Sequence, residues 1–149
     1  MLEQTRANIL VAEPYPENLE ILESIVRLQR VEDRVRLMLV SPLESLKMQE
    51  RVDAVFMGEV LHWTPSSQLV LKAARNQLKQ GGFLVLAQTL YSSLGMKMGL
   101  IGYLLGALRP PPTSSELRSM LKVAGYRVEK WLESMGVALV RASPIVTFV

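Results

Sequence analysis

Chemistry in this chain has few possible carriers. Of its 149 residues one is histidine, His62, and none is cysteine. An unperturbed imidazole titrates near neutral pH, which suits a general base for an acceptor that must lose a proton. A single histidine without thiols excludes a multi-histidine metal centre, a cysteine zinc site, a disulfide framework and thiolate catalysis. Gly58 and Glu59 stand just before His62, where the chain leaves the apolar run Asp53–Met57. That is the carboxyl edge on which open α/β sheets place their ligands. Upstream, Glu13 closes another apolar run immediately before Pro14. Each candidate has a plainer reading. An acid that ends a strand before a proline turn is often a solvated loop residue, and His62 with Trp63 can form a packed wall at a helix start.

The elements that position these residues follow from periodicity. Asn8–Glu13, Val35–Val40, Asp53–Met57 and Phe83–Ala87 are short apolar runs, as strands buried in a parallel sheet are. Between them, Leu19, Leu22 and Val26, flanked by Ile21, Ile25 and Leu28, keep helical spacing after Pro16. Thr64 and Pro65 predict the start of a second helix, with Leu69, Val70, Ala73, Ala74 and Leu78 on one face and Gly81-Gly82 as its stop. Thr113-Ser-Ser-Glu116 has the capping-box pattern for a last helix that Gly125 ends, and Tyr126–Glu133 with Gly136–Ala142 reads as a closing hairpin. This alternation predicts an α/β fold in one domain over residues 1–149.

Composition narrows the rest. The chain is 49% hydrophobic and 21% charged, and its net charge of +3 is scattered, so no basic patch marks a nucleic-acid partner. No apolar run reaches the ~18 residues of a spanning helix, and Met1-Leu-Glu-Gln-Thr-Arg6 is too polar for a secretory leader. A cytoplasmic protein is expected.

Asp53-Ala-Val-Phe-Met-Gly-Glu-Val-Leu-His-Trp63, followed by Leu78-Lys-Gln-Gly-Gly-Phe-Leu-Val-Leu86 and then Val123-Ala-Gly-Tyr126, resembles a class I S-adenosylmethionine-dependent methyltransferase. The resemblance runs from about Asn8 to Ala142. It implies a mostly parallel Rossmann-like sheet with helices on both faces and a C-terminal antiparallel hairpin. It implies S-adenosylmethionine as cofactor, with Glu13 on the ribose hydroxyls and Ser41 and Leu43 near the adenine. Ser41 stands where the family commonly has an aspartate, which weakens adenine recognition. Gly58 would border the cofactor, and Glu59 and His62 the methyl group and substrate. The family's first strand and glycine-rich loop should precede Asn8, and Met1–Ala7 contain neither, so the chain resembles an N-terminally truncated member. Close backbone approach needs residues without a Cβ. The strand at Asn8–Glu13 should then lie beside the Asp53 strand or leave a gap for a partner.

Leu94–Leu108 is apolar except for Lys97 and carries Gly95, Gly99, Gly102 and Gly106. Small residues four apart let helices approach closely. The stretch is expected to cap a hydrophobic small-molecule substrate, to form a buried or homodimer helix, or to touch a membrane surface. Two functions follow: a methyltransferase for a hydrophobic small molecule, or a catalytically inactive relic of that fold serving as a dimerisation or binding module.

Overall fold

The structure, a computed structural model, describes residues 7–40, 50–91, 100–102 and 104–145. Its contacts divide the chain into two compact units, Met1–Ser45 and Leu46–Val149.

In the first unit, β1 (Ile9–Glu13) and β2 (Val35–Leu39) pair in parallel, Ile9 opposite Val35 and Glu13 opposite Leu39. They are joined through α1 (Pro16–Leu28), which has proline in its first turn, where the missing N–H has no helical partner to lose. The apolar spacing predicted this helix, yet none of its residues is buried and Ile21, Ile25 and Leu28 stand exposed.

The second unit holds a four-stranded sheet in the order β3-β4-β6-β5. β3 (Val52–Gly58) runs parallel to β4 (Leu78–Thr89), while β6 (Val137–Pro144) is antiparallel to both β4 and β5 (Tyr126–Ser134). The closing hairpin turns at Met135 and Gly136, both at positive φ, as its twist requires. Among the described residues of each unit, β1 pairs with β2 and β3 pairs with β4.

One face of the four-stranded sheet is covered by α2 (Ser67–Gln77) and α3 (Ser114–Val123). Val70, Leu71 and Ala74 of α2 and Leu117 and Leu121 of α3 are buried with Leu84, Leu86, Ala138, Val140 and Ala142 of the sheet. Each fully buried leucine contributes about 1.5–3 kcal/mol. Tyr126 fills the same core and donates its hydroxyl to the Leu71 carbonyl at 3.2 Å, so the ring is buried without an unpaired polar atom. α3 begins with the expected capping box between Thr113 and Glu116.

Three expectations are corrected. α2 starts at Ser67 rather than at Thr64-Pro65. Ser66 is its N-cap, accepting from the Leu69 N–H at 3.3 Å, whereas Thr64 and Ser67 both donate to the Leu61 carbonyl, at 3.3 and 3.0 Å. Those hydroxyls serve a 3-10 turn at Leu61–Trp63 that the sequence pattern did not reveal. Gly81 and Gly82 do not stop α2, which ends at Gln77; they lie inside β4, where the β3 pairing slips between Val52 and Ala54. Gly81 has φ +79°, and a Cβ on Gly82 would stand 3.0 Å from the carbonyls of Asp53 and Lys79. The glycines serve a bulge. Gly102 and Gly106 are not a helix-packing stripe: Gly106 has φ +98°, and the Ala107 N–H returns to the Gly102 carbonyl at 2.8 Å, closing a short helical turn. Gly95 and Gly99 lie outside the described residues, among which no helix is long and apolar enough to cross a membrane.

Candidate functional site

At the carboxyl ends of β3 and β4 four polar side chains meet. Glu59 follows β3 directly, and its backbone is left-handed, with φ +56°. Such a backbone costs a non-glycine residue about 1 kcal/mol or more and persists only when its surroundings impose it. Here they do. The Glu59 N–H donates to the Ala87 carbonyl at 2.9 Å, and its Oε1 accepts from the Thr89 N–H at 2.7 Å and the Thr89 hydroxyl at 3.0 Å. The remaining oxygen, Oε2, lies 3.4 Å from Gln88 Nε2 and 3.6 Å from His62 Nδ1.

His62 is carried on the Leu61–Trp63 turn, its ring tilted 41° against Trp63 with centroids 5.4 Å apart. Nδ1 is 3.0 Å from Gln88 Nε2. Burial lowers the imidazole's pKa below its ordinary 6.5, and the Glu59 charge only partly offsets that. His62 therefore holds its proton less readily than a free imidazole does. Gln88 is wholly buried, and its Oε1 has no hydrogen-bond partner among the described residues. An unpaired buried acceptor costs about 1–3 kcal/mol, so the amide's orientation is set by the acceptors around its nitrogen.

Beside this cluster lies a cavity of about 210 Å³. Leu61 and His62 form part of its wall, with Ser67 of α2, the segment Arg109–Pro112, and Glu116 and Met120 of α3. The Arg109–Pro112 segment is seated on the turn: the Leu108 N–H donates to the His62 carbonyl at 2.9 Å, and Arg109 Nη2 donates to the Pro65 carbonyl. The prolines fix a wall that needs no backbone donors.

The structure thus brings the candidates Glu59 and His62 into one cluster. Gly58 lies next to them, opposite Ala87, and a Cβ there would meet the Phe56 ring at 3.3 Å. Glu13 belongs to the first unit, where its Oε1 accepts from the Tyr15 N–H at 3.0 Å and Asn18 Nδ2 at 3.1 Å. Ser41 and Leu43 lie outside the described residues. Gln88, Thr89 and the proline wall were not among the sequence candidates. One signal existed, because Gln88 continues the inward alternation of Leu84 and Leu86 and is thus a polar residue at a core position. No metal-ligating group of three acidic, histidine or cysteine residues occurs among the described residues.

A sequence model of the methyltransferase domain family matches residues 1–86, more than half of the chain. The chain belongs to that family. Solved structures agree with this methyltransferase domain in fold. An O-methyltransferase family protein from Burkholderia thailandensis superposes with a TM-score of 0.81 at 13% identity, over 93% of this chain and 44% of that one. An O-methyltransferase family 2 protein from Planctomyces limnophilus, in complex with apigenin, gives 0.77 at 19% identity over 93% and 44%. An O-methyltransferase from neocarzinostatin biosynthesis, in complex with S-adenosyl-L-homocysteine and 1,4-dihydroxy-2-naphthoic acid, gives 0.76 at 15% identity over 93% and 42%. This methyltransferase domain therefore spans less than half the length of the proteins it resembles. No curated protein matches it in sequence.

Proposed function

We propose that this chain works as an S-adenosylmethionine-dependent methyltransferase on a hydrophobic small molecule in the cytoplasm. The observation that carries the reading is the Glu59–His62–Gln88 cluster beside a mostly apolar cavity at the carboxyl ends of β3 and β4. In a family whose chemistry is methyl transfer, that is where an acceptor is positioned. His62 lines it together with the Arg109–Pro112 wall, and Glu59 stands next to His62, its Oε2 3.6 Å from Nδ1.

The residues present fit the ribose of the cofactor. Glu13 Oε1 is engaged by the turn into α1, which leaves Oε2 with no hydrogen-bond partner among the described residues, and a carboxylate oxygen readily accepts from a diol. The cofactor, when bound, supplies an activated methyl group. Residues 1–57 contain no glycine, so the fit concerns the ribose alone. The likeness to enzymes whose structures hold apigenin or a naphthoic acid supports an aromatic hydroxyl compound as acceptor.

The test is transfer of isotopic methyl from S-adenosylmethionine to apigenin and to 1,4-dihydroxy-2-naphthoic acid. The wild type should label one of them, and His62→Ala should cut the rate ~10- to 100-fold, the worth of one hydrogen bond to a charged group. Absence of labelling by a folded wild-type chain would contradict the proposal.

A second copy is proposed to cover the sheet face opposite α2 and α3. By register Phe56, Val85 and Arg141 share that face, as do Leu132, Ala87 and Leu139, and Phe56 is 70% and Leu132 66% exposed.

A further inference from the structure

We propose that His62 is a hydrogen-bond donor, held as its Nε2–H tautomer by Gln88, and that the ligand oxygen it serves reaches the cavity already ionised. The assignment begins at Gln88. Its Nε2 stands 3.0 Å from His62 Nδ1, 3.2 Å from the Thr89 carbonyl and 3.4 Å from Glu59 Oε2. An amide nitrogen has two hydrogens and no lone pair to offer, so the two nearest atoms facing it, His62 Nδ1 and the Thr89 carbonyl, take the hydrogens, with Glu59 Oε2 farther off. Reversing the amide would set its carbonyl oxygen against the Thr89 carbonyl and the Glu59 carboxylate, two acceptors against a third. The amide nitrogen is therefore fixed where it is, and the ring nitrogen facing it carries the lone pair. In a neutral imidazole the proton then sits on Nε2, which has no hydrogen-bond partner among the described residues.

This reverses the role the residue type suggested. A base must present a lone pair to its ligand, and the lone pair of His62 is taken by Gln88. Nε2 presents a proton instead. A hydroxyl brought to that nitrogen cannot lose its proton there, so the oxygen that gains most from the site is one that has ionised on its own, such as that of an acidic phenol. The charged groups around it are few. Glu59 opposes an anion, though Thr89 holds its Oε1 with two donors; Glu116 on the cavity wall is turned to its own helix cap, accepting from the Thr113 N–H and hydroxyl; Arg109 on the same wall favours an anion. The ligand class rests on reading the cavity as the acceptor site, whereas the tautomer does not.

Because His62 is the only histidine, its two ring nitrogens can be read without assignment ambiguity by nitrogen-15 NMR of the whole chain. In the wild type at pH 8, Nδ1 should resonate as an unprotonated and Nε2 as a protonated ring nitrogen. A protonated Nδ1 would overturn the proposal outright, whether or not the chain transfers methyl groups. Gln88→Met, which removes the donor without burying a charge, should leave a mixture of tautomers, and Gln88→Glu should move the proton to Nδ1; an unchanged spectrum in a folded variant would show that Gln88 does not set the tautomer. The ligand class is tested with 4-nitrophenol above and below its own ionisation. The anion should shift the Nε2 resonance and the neutral phenol should not. A shift with the neutral form alone, or with neither, would overturn the ionised-oxygen assignment and leave the methyltransferase reading to its own assay.

Discussion

Burial lowers the pKa of His62 more than the neighbouring carboxylate raises it, and this has a consequence for stability. With its folded pKa below the unfolded 6.5, the native state binds fewer protons than the unfolded one in the window between the two values. The contribution is fully present above pH 6.5 and is lost as the pH falls through that window. The melting temperature should therefore drop between pH 7 and 5 in the wild type and drop less in His62→Gln, as thermal unfolding across a pH series would show. Glu59→Gln removes the one charge that raises the imidazole's pKa, so an NMR titration should place that pKa lower still; a rise would contradict the geometry. At this scale the sequence was legible where residue type alone carries meaning: a single histidine, an acid three residues before it, an acid ending β1. Gln88 was not, because an amide's role depends on which of its two ends faces which neighbour, and that is decided by β3 and the Leu61–Trp63 turn together.

Elements with strong local signals lie where the spacing put them. The capping box of α3 is complete, and the positive φ of Gly125 ends that helix. Thr113→Ala should cost about 1 kcal/mol and lower the melting temperature by several degrees. The start of α2 was misplaced because two hydroxyls that look like caps, Thr64 and Ser67, are bonded to the Leu61 carbonyl of the preceding turn. Gly81-Gly82 was misread for a different reason: a bulge is a property of two strands, and nothing within β4 announces that Asp53 of β3 will press its carbonyl against Gly82. Gly82→Ala should destabilise by about 1–3 kcal/mol, because both carbonyls that it meets are backbone. Gly81→Ala, with open space around its Cβ, should cost about 1–2 kcal/mol from its positive φ alone. Denaturant unfolding of the two variants checks the order.

For the whole molecule, the predicted α/β class and family hold: the family match shows the family, and the structural likenesses show the fold. Sequence patterning could not foretell how much apolar surface stays uncovered, because periodicity shows which face of an element is apolar and not what packs on it. α1 buries none of its residues, and one face of the four-stranded sheet carries Phe56 and Leu132 in the open. If a second copy covers that sheet face, sedimentation velocity should show mass rising with concentration, and Phe56→Glu should hold the chain monomeric and folded, with a melting temperature that no longer rises with concentration. Binding of the methyl donor, with Glu13 proposed to hold its ribose, is the step on which methyl transfer by this chain depends. It is tested most directly by calorimetric titration with S-adenosylhomocysteine of the wild type and of a folded Glu13→Ala variant. Saturable binding by the wild type that the variant loses is the predicted result; no saturable heat from the wild type, or equal binding by both, would contradict it.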